Sequence, residues 1–262
     1  MVAKANGPQS AYVLHQWAWS ETSVILDLFT REQGRVAAVA KGAKRPYSQL
    51  RSVLLPFQRI AVTLGRSKVD EGSDIVTLRS AEFAGGAPSL PSERLFSGFY
   101  LNELLMKLLA RQDAHPRLFD AYAETLLTLA TREPGADEAT LRAFELTLLR
   151  ETGVLPALDC STLTQEPLRD DRNYTMRPEA GLVVAARDEP ALSAAQCLAL
   201  QTALDARHAE ALRSATAAAL GALKLQLRAM LAYHLGSPPL RTRQAMLDVR
   251  RLLEVPVESV RP

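Results

Sequence analysis

The first 83 residues are organised as five short apolar and β-branched segments, and this pattern limits the fold more than any other feature of the chain. The segments cover residues 11–17, 23–30, 35–41, 57–64 and 74–83, and turn-forming residues separate them. A short helix is expected at 47–55, between the third and fourth segments. Strands of this length at this spacing predict a small closed barrel.

The order of these segments is compatible with an OB-fold, in which the face of strands 2 and 3 and the loops after strands 1 and 4 bind oligonucleotides. A cluster of glycines and prolines at residues 85–91 ends the pattern and marks a domain boundary. We therefore expect an OB-fold nucleic-acid-binding domain at 1–86 and a mainly helical domain at 87–262, which together make an α+β protein.

Beyond this boundary, apolar residues recur every three or four positions and predict helices that begin near residues 92, 116, 137, 193, 210 and 242. In the first of them Ser92 is the expected N-cap, and Leu95, Phe99 and Leu104 lie on the stripe expected to be buried. Residues 159–189 lack this periodicity and are rich in proline, glycine and charge. They predict an irregular insertion with one strand at 181–185.

Positive charge is concentrated in residues 30–51, which carry six cations against a single acidic residue, Glu32. The six are Arg31, Arg35, Lys41, Lys44, Arg45 and Arg51. Residues 1–68 hold ten Lys and Arg against three Asp and Glu, whereas the remainder holds 21 against 26. This asymmetry predicts a polyanion as the partner of the first domain, and Arg66 and Lys68 add to its charge. The alternative is that these are solvated charges of an edge strand, where lysine guards against aggregation.

Four aromatic residues lie near this charge in the sequence and are candidates for stacking on unpaired bases. Trp19 and Tyr47 fall in loop-like segments and are the base-stacking candidates. Trp17 and Phe29 fall in strand segments and are expected in the barrel core. We expect binding by neutralised phosphates without base readout, so a binding constant that does not respond to salt would contradict this mechanism.

Signatures of catalysis are missing from the sequence, which has no Walker A loop, no GxGxxG after a strand, no GxSxG and no HExxH. The two cysteines, Cys160 and Cys197, form no CxxC motif, and the four histidines have no partner at ligand spacing. The sequence shows neither an export signal nor a membrane-spanning apolar run. We therefore expect a non-enzyme without a cofactor, located in the cytoplasm.

Several sequence blocks resemble the RecO family of bacterial DNA repair proteins. In the first domain they are residues 12–15, 20–23, 29–35, 40–45, 55–57 and 77–82. In the second they are residues 98–105 (GFYLNELL), 141–145 (LRAFE) and 240–243 (LRTR). The likeness covers most of the chain and is weakest at 161–208.

The resemblance implies an OB-fold joined to a helical domain, and a recombination mediator that acts in DNA repair. Such a protein binds single- and double-stranded DNA, anneals strands, partners RecR, and helps RecA load onto strands coated with single-stranded-DNA-binding protein (SSB). Participation of RecF stays open, and association with the nucleoid is expected. On this basis the eight cations named above become DNA-binding candidates. The alternatives are a non-catalytic adaptor with non-specific DNA affinity and an unrecognised nuclease or ligase.

The resemblance adds two expectations for the helical domain. A groove there is implied for the acidic, hydrophobic C-terminal tail of SSB, with Arg142 as the candidate for holding a carboxylate; the alternative is that Arg142 is only solvated. Many family members carry a four-cysteine zinc site after the LRxFE block, but Cys160 is the only cysteine in 159–189. We therefore expect no metal and a loop held by packing alone. A second basic cluster has no assigned partner and consists of Lys224, Arg228, Arg241 and Arg243.

Overall fold

A computed structural model describes residues 7–65, 75–86, 88–131, 137–236 and 240–254. Five strands in its first part form a closed barrel in the order β1-β2-β3-β5-β4. They are β1 (Gln9–Ala18), β2 (Val24–Thr30), β3 (Gly34–Ala40), β4 (Ile60–Gly65) and β5 (Ile75–Phe83), with helix α1 (Leu50–Val53) between β3 and β4. β3 and β5 run parallel and the other pairs antiparallel. The predicted OB-fold is confirmed, with strand ends within about three residues of those expected.

The barrel interior sets large side chains opposite small ones on neighbouring strands. Leu26 of β2 lies opposite Ala38 of β3, and Val24 lies opposite Ala40. All four are buried in one core cluster with Ile60 of β4. Such alternation fills a narrow, tapering barrel without voids. The alternating sizes of the inward-facing side chains therefore allow the five strands to close into a barrel.

The second part of the chain is mainly helical and begins with a 3₁₀ turn at Ser92–Arg94. Its helices are α2 (Leu95–Leu108), α3 (Pro116–Thr131), α4 (Asp137–Glu151), α5 (Ala194–Ala206), α6 (Ala209–Ala218), α7 (Leu220–Leu235) and α8 (Arg241–Glu254). Ser92 opens the 3₁₀ turn and is not the N-cap of α2, which has no side-chain cap hydrogen bond. Among the described residues, no helix is long and apolar enough to cross a membrane.

Helix α2 buries a different face from the one its periodicity suggested. Leu104 is buried as expected, but Leu95 and Phe99 are 37% and 41% exposed. The helix is apolar on most sides, so spacing alone does not select a face. Gly98 selects it, because a Cβ at that position would lie 2.8 Å from the ring of Phe57. The side of α2 that carries Gly98 therefore packs against the barrel.

The segment expected to be an irregular insertion contributes two strands to a three-stranded sheet, and the third strand follows it at residues 192–193. β6 (Asn173–Arg177) lies between β7 (Gly181–Val184) and β8 (Leu192–Ser193). The strand expected at 181–185 is β7, whereas β6 and β8 are short strands that no sequence pattern marked. Met176 N of β6 donates to Gln226 Oε1 of α7 at 2.9 Å. This bond connects the small sheet to the helical core.

The barrel and the helical unit share a hydrophobic core, which we call the seam. Phe29 is buried there, and its ring centroid lies 5.4 Å from that of Phe119 of α3. Asn102 of α2 donates from Nδ2 to Leu14 O of β1 at 2.9 Å, and its Oδ1 accepts from the Tyr122 hydroxyl at 2.5 Å. Phe29 therefore lies in the seam and not in the barrel core, where the sequence placed it.

Candidate nucleic-acid interface

The turn between β2 and β3 carries two of the candidate cations and contacts the helical unit, although Arg31 stays 43% exposed. Arg31 donates from Nε and Nη2 to the two carboxylate oxygens of Asp120 of α3, each at 2.9 Å. Arg35 donates to the fully buried carboxylate of Asp27 at 2.8–3.0 Å, and its Nη1 also donates to Leu109 O at 3.3 Å. Both guanidinium groups are thus engaged within the protein.

A glycine permits the close approach at this turn. Gly34 has a φ of +67°, and a Cβ there would lie 1.7 Å from the carbonyl oxygen of Asp113. Gln112 N also donates to Arg35 O at 2.9 Å. The segment between α2 and α3 therefore occupies the space outside the β2–β3 turn.

The loops that follow β1 and β3 leave the barrel at the opposite end. The pairing of β1, β2 and β3 ends at Ala18, Val24 and Ala40, which lie side by side. Lys44 joins the two loops, because its backbone N donates to Thr22 O at 2.9 Å and its Nζ donates to Ser20 O at 2.7 Å. We call residues 17–24 and 39–51 the open end of the barrel.

The open end carries the remaining cations of the segment 30–51. All four are exposed, namely Lys41, Lys44, Arg45 and Arg51. Glu21 is the only acidic residue in the two loops. In the part of the chain that the structure describes, no acidic side chain forms an ion pair with Lys41, Arg45 or Arg51. The six cations of the sequence cluster are thus divided between two ends of the barrel, four at one and two at the other.

Three aromatic residues are exposed at the same end. Trp17 is 42% exposed, Trp19 is 61% exposed and Tyr47 is 99% exposed. The expectation that Trp17 belongs to the barrel core is wrong. β1 pairs with β4 only through residues 9–11, so the last four residues of β1 extend beyond the closed part of the barrel and are exposed. Arg66 and Lys68 lie outside the described residues.

A second candidate site is a groove on the helical unit, formed by α2, α4, α7 and α8. It has a volume of about 450 Å³ and is mostly apolar. Its lining includes Tyr100, Leu141, Arg142, Arg228, Leu231 and Met246. The groove therefore combines an apolar floor with two arginines. Asp137 and Glu138 also line it, and they pair with Arg94 and Lys224.

Arg142 is a wall residue of this groove and not a solvated surface charge, since its side chain is 12% exposed. Its Nη2 lies 2.7 Å from Oε1 of Glu145, and the Tyr100 hydroxyl donates to the same oxygen at 2.5 Å. Burial raises the pKa of Glu145 to about 7, although the positive charge of Arg142 opposes this. Arg142 Nε is buried and has no hydrogen-bond partner among the described residues.

The second basic cluster of the sequence does not form one surface among the described residues. Lys224 forms an ion pair with Glu138, whereas Arg228 lines the groove opposite α4. The side chain of Arg241 is exposed, and that of Arg243 lies outside the described residues. Arg228 thus joins Arg142 at one site, a pairing that residues so distant in sequence did not suggest.

Glu103 fixes the start of α8 beside the groove. Its carboxylate accepts from Arg241 N at 2.8 Å, from Thr242 N at 2.9 Å and from Thr242 Oγ1 at 2.7 Å. Burial alone would raise the pKa of Glu103, but the hydrogen bonds from Thr242 and Arg241 outweigh it and lower this pKa. Glu103 therefore acts as a deprotonated cap that positions one wall of the groove.

Comparison with known proteins identifies the family of this chain. A family model described as Recombination protein O N terminal matches residues 8–86, and one described as Recombination protein O C terminal matches residues 92–244. The chain belongs to the RecO family. It is 51% identical over 253 residues to the DNA repair protein RecO of Variovorax paradoxus, covering 93% of this chain and 96% of that protein. Against the protein of that name from Acidovorax ebreus it is 51% identical over 263 residues, covering 96% and 100%.

The zinc-site region of the RecO family, as it occurs in this chain, does not fit a zinc ion. Cys160 is half-buried, and Cys197 is buried in α5, where burial raises its pKa to about 12. No group of three or more His, Cys, Asp or Glu within the described ranges is placed to hold a metal. Hydrogen bonds hold the loop, contrary to the expectation of packing alone. Thr162 Oγ1 accepts from Leu182 N at 2.8 Å, and Thr162 N donates to Leu182 O at 2.8 Å.

The sequence blocks that resemble the RecO family also form structural contacts in this chain. Asn102 of the GFYLNELL block holds the seam, and Glu103 of the same block caps α8. Arg142 and Glu145 of the LRAFE block form the ion pair in the groove wall. The sequence motif therefore marks the packing of α2 and α4 and also the site between them.

Proposed function

We propose that this chain is a non-enzymatic DNA repair mediator that gathers DNA on the open end of its barrel and promotes the pairing of complementary strands. The observation that carries the proposal is the presence of four exposed cations and three exposed rings at the end of an OB-fold that the helical unit leaves uncovered. Cations there take up phosphates and release counterions, which lowers the repulsion between two strands. The names of the relatives, DNA repair protein RecO, support a repair role.

The proposal extends to protein partners. We infer that the chain works with RecR, helps RecA load onto SSB-coated single strands, and acts in the cytoplasm in association with the nucleoid. Double-stranded DNA is a further ligand, because charge neutralisation does not depend on base readout. The runner-up function is an adaptor that binds proteins and has only non-specific DNA affinity.

The groove on the helical unit is the proposed site for the C-terminal tail of SSB. An acidic and hydrophobic peptide matches its apolar floor and the two arginines, Arg142 and Arg228. Arg142 is 12% exposed at the groove wall, and a carboxylate of the tail would accept a charge-assisted hydrogen bond from the exposed part of its guanidinium. The pairing with Glu145 keeps the guanidinium in one orientation before the peptide arrives.

A strand-annealing assay tests the central proposal. Complementary oligonucleotides should pair faster with the protein than without it, both naked and SSB-coated, and EDTA should not change the rate. An adaptor would bind SSB without accelerating annealing. A nuclease or ligase would give shortened or joined strands in a reaction that requires a metal or a nucleotide.

Substitutions in the groove test the tail site separately. Arg142→Ala should weaken binding of a fluorescent SSB-tail peptide and leave the affinity for naked DNA nearly unchanged. Arg228→Ala, which leaves the Arg142–Glu145 pair intact, should act in the same direction. Arg150→Ala is the matched control, because Arg150 lies on the same helix but pairs with Asp205. Equal loss of peptide and DNA binding, or loss of neither, would remove Arg142 from the tail site.

A further inference from the structure

The outer face of β1, β2 and β3 has a regular arrangement near the open end. Trp17 lies opposite Ile25, and Ile25 lies opposite Val39, so the three form one row across the sheet. Trp19 N donates to Ser23 O at 3.1 Å, which continues the β1–β2 pairing past the end of the strand. Because side chains alternate along a strand, Trp19 is on the same face as Trp17.

The spacing of the two tryptophans follows from strand geometry. Two residues along a strand advance about 6.6–6.8 Å, since each advances about 3.3–3.4 Å. Neighbouring bases in one strand of duplex DNA rise only about 3.4 Å. The backbone positions that carry the two indoles are therefore about twice as far apart as two stacked bases, so a strand that stacks one base on each indole is expected to be stretched.

The surroundings hold Trp17 in place and leave it uncovered. The His15 ring lies 4.5 Å from it at an interplanar angle of 74°, an edge contact that supports the indole. Both indoles are substantially exposed, as given above. Lys41 directly follows β3 and is exposed, so it brings a positive charge to this end of the sheet.

We propose that Trp17 and Trp19 form a two-step platform on which two bases of one strand stack, so that the open end favours unstacked single-stranded DNA over duplex. The proposal rests on the proposed binding of DNA at the open end and names the part of that surface which distinguishes single strands. The cations supply an attraction that any DNA shares, whereas the indoles require free base faces. Lys41 is the cation beside the platform that meets the intervening backbone.

Trp17 and Trp19 are the only two tryptophans in the chain, so intrinsic fluorescence reports on them alone. Trp19→Phe isolates the emission of Trp17, and Trp17→Phe isolates that of Trp19. The probes are an end-labelled thymidine oligonucleotide of about twelve nucleotides, an abasic strand of equal length, and a duplex of equal length. Anisotropy of the label measures binding independently of tryptophan emission.

Both single-tryptophan variants should be quenched by the thymidine strand and not by the abasic strand or the duplex. Trp17→Ala should weaken binding of the thymidine strand about 5- to 150-fold, the range that loss of one stacked base implies, and leave abasic binding unchanged. Tyr233→Ala, which removes a ring that is 53% exposed on α7, is the control and should change neither.

Binding of the thymidine strand without quenching of Trp17, or with unchanged affinity in Trp17→Ala, would overturn the platform while leaving the charged DNA surface intact. Equal quenching by the duplex would also overturn it. Absence of binding by the unmodified protein at low salt would instead remove the DNA surface itself, and the platform with it.

Discussion

Replacing Lys41 and Arg45 together by glutamine should halve the salt dependence of single-strand binding. Both residues lie at the open end, both are exposed, and neither forms an ion pair with an acidic side chain among the described residues. Glutamine keeps most of the side-chain length and removes only the charge. The double substitution therefore tests how many phosphates this end neutralises.

The expected magnitude follows from the number of cations. Each neutralised phosphate of a single strand contributes about −0.7 to the slope of log K against log salt. Four cations at the open end give about −2.8, and the two that remain in the variant give about −1.4. Between 50 and 200 mM salt, the affinity should then fall about 50-fold for the unmodified protein and about 7-fold for the variant.

The assay is anisotropy of a labelled single strand, titrated at four or more salt concentrations. Arg31→Gln is the matched control, because Arg31 belongs to the same sequence cluster but pairs with Asp120 at the covered end. The slope of this control should stay near that of the unmodified protein. A slope unchanged in the double variant, or reduced as much in Arg31→Gln, would refute the division of the cations between the two ends.

Three further predictions concern stability. Arg35→Ala should lower the free energy of unfolding in urea by about 3–5 kcal/mol, because it leaves the fully buried carboxylate of Asp27 unpaired; an effect below about 1 kcal/mol would contradict this. Gly34→Ala should lower the melting temperature, because its Cβ would meet Asp113 O and its φ is positive; an unchanged melting temperature would show that the turn can move aside. Glu145→Gln should be increasingly more stable than the unmodified protein as pH rises from 5 to 8. Because the pKa of Glu145 is raised to about 7 in the folded protein, its protonated form contributes stability below its ordinary pKa, and this contribution of about 3 kcal/mol is lost as pH rises through about 7. A stability difference between Glu145→Gln and the unmodified protein that does not change with pH would contradict this prediction.

The barrel was predictable because its strands carry a local signal. Segments such as 23–30 are apolar, β-branched and bounded by turn residues, so their existence and order follow from the sequence alone. The face that α2 buries was not predictable in this way, because that helix packs against the barrel and against other helices. Its orientation depends on the contact of Gly98 with Phe57, two residues that are far apart in the sequence.

The candidate site was predictable as a concentration of charge but not as a surface. β3 is a seven-residue strand whose two ends are about 20 Å apart. Arg35 and Lys41 therefore lie at opposite ends of the barrel. Sequence proximity therefore grouped cations that the fold divides. Whether Trp17 is covered depends on how far β4 pairs along β1. The residues near Trp17 in the sequence do not indicate where this pairing ends.

The placement of the seam separates the two proposed sites, the open end for DNA and the groove for an acidic peptide. At the β2–β3 turn Arg31 pairs with Asp120 of α3 and Arg35 pairs with Asp27. At the far end of the barrel Lys41, Arg45 and Arg51 have no acidic partner among the described residues. The groove is built from α2, α4, α7 and α8, none of which contributes a residue to the open end. An acidic peptide and a DNA strand would therefore compete for neither cations nor space. Asn102, which connects α2 to β1 through Leu14, would keep the two sites at a fixed separation while both are occupied.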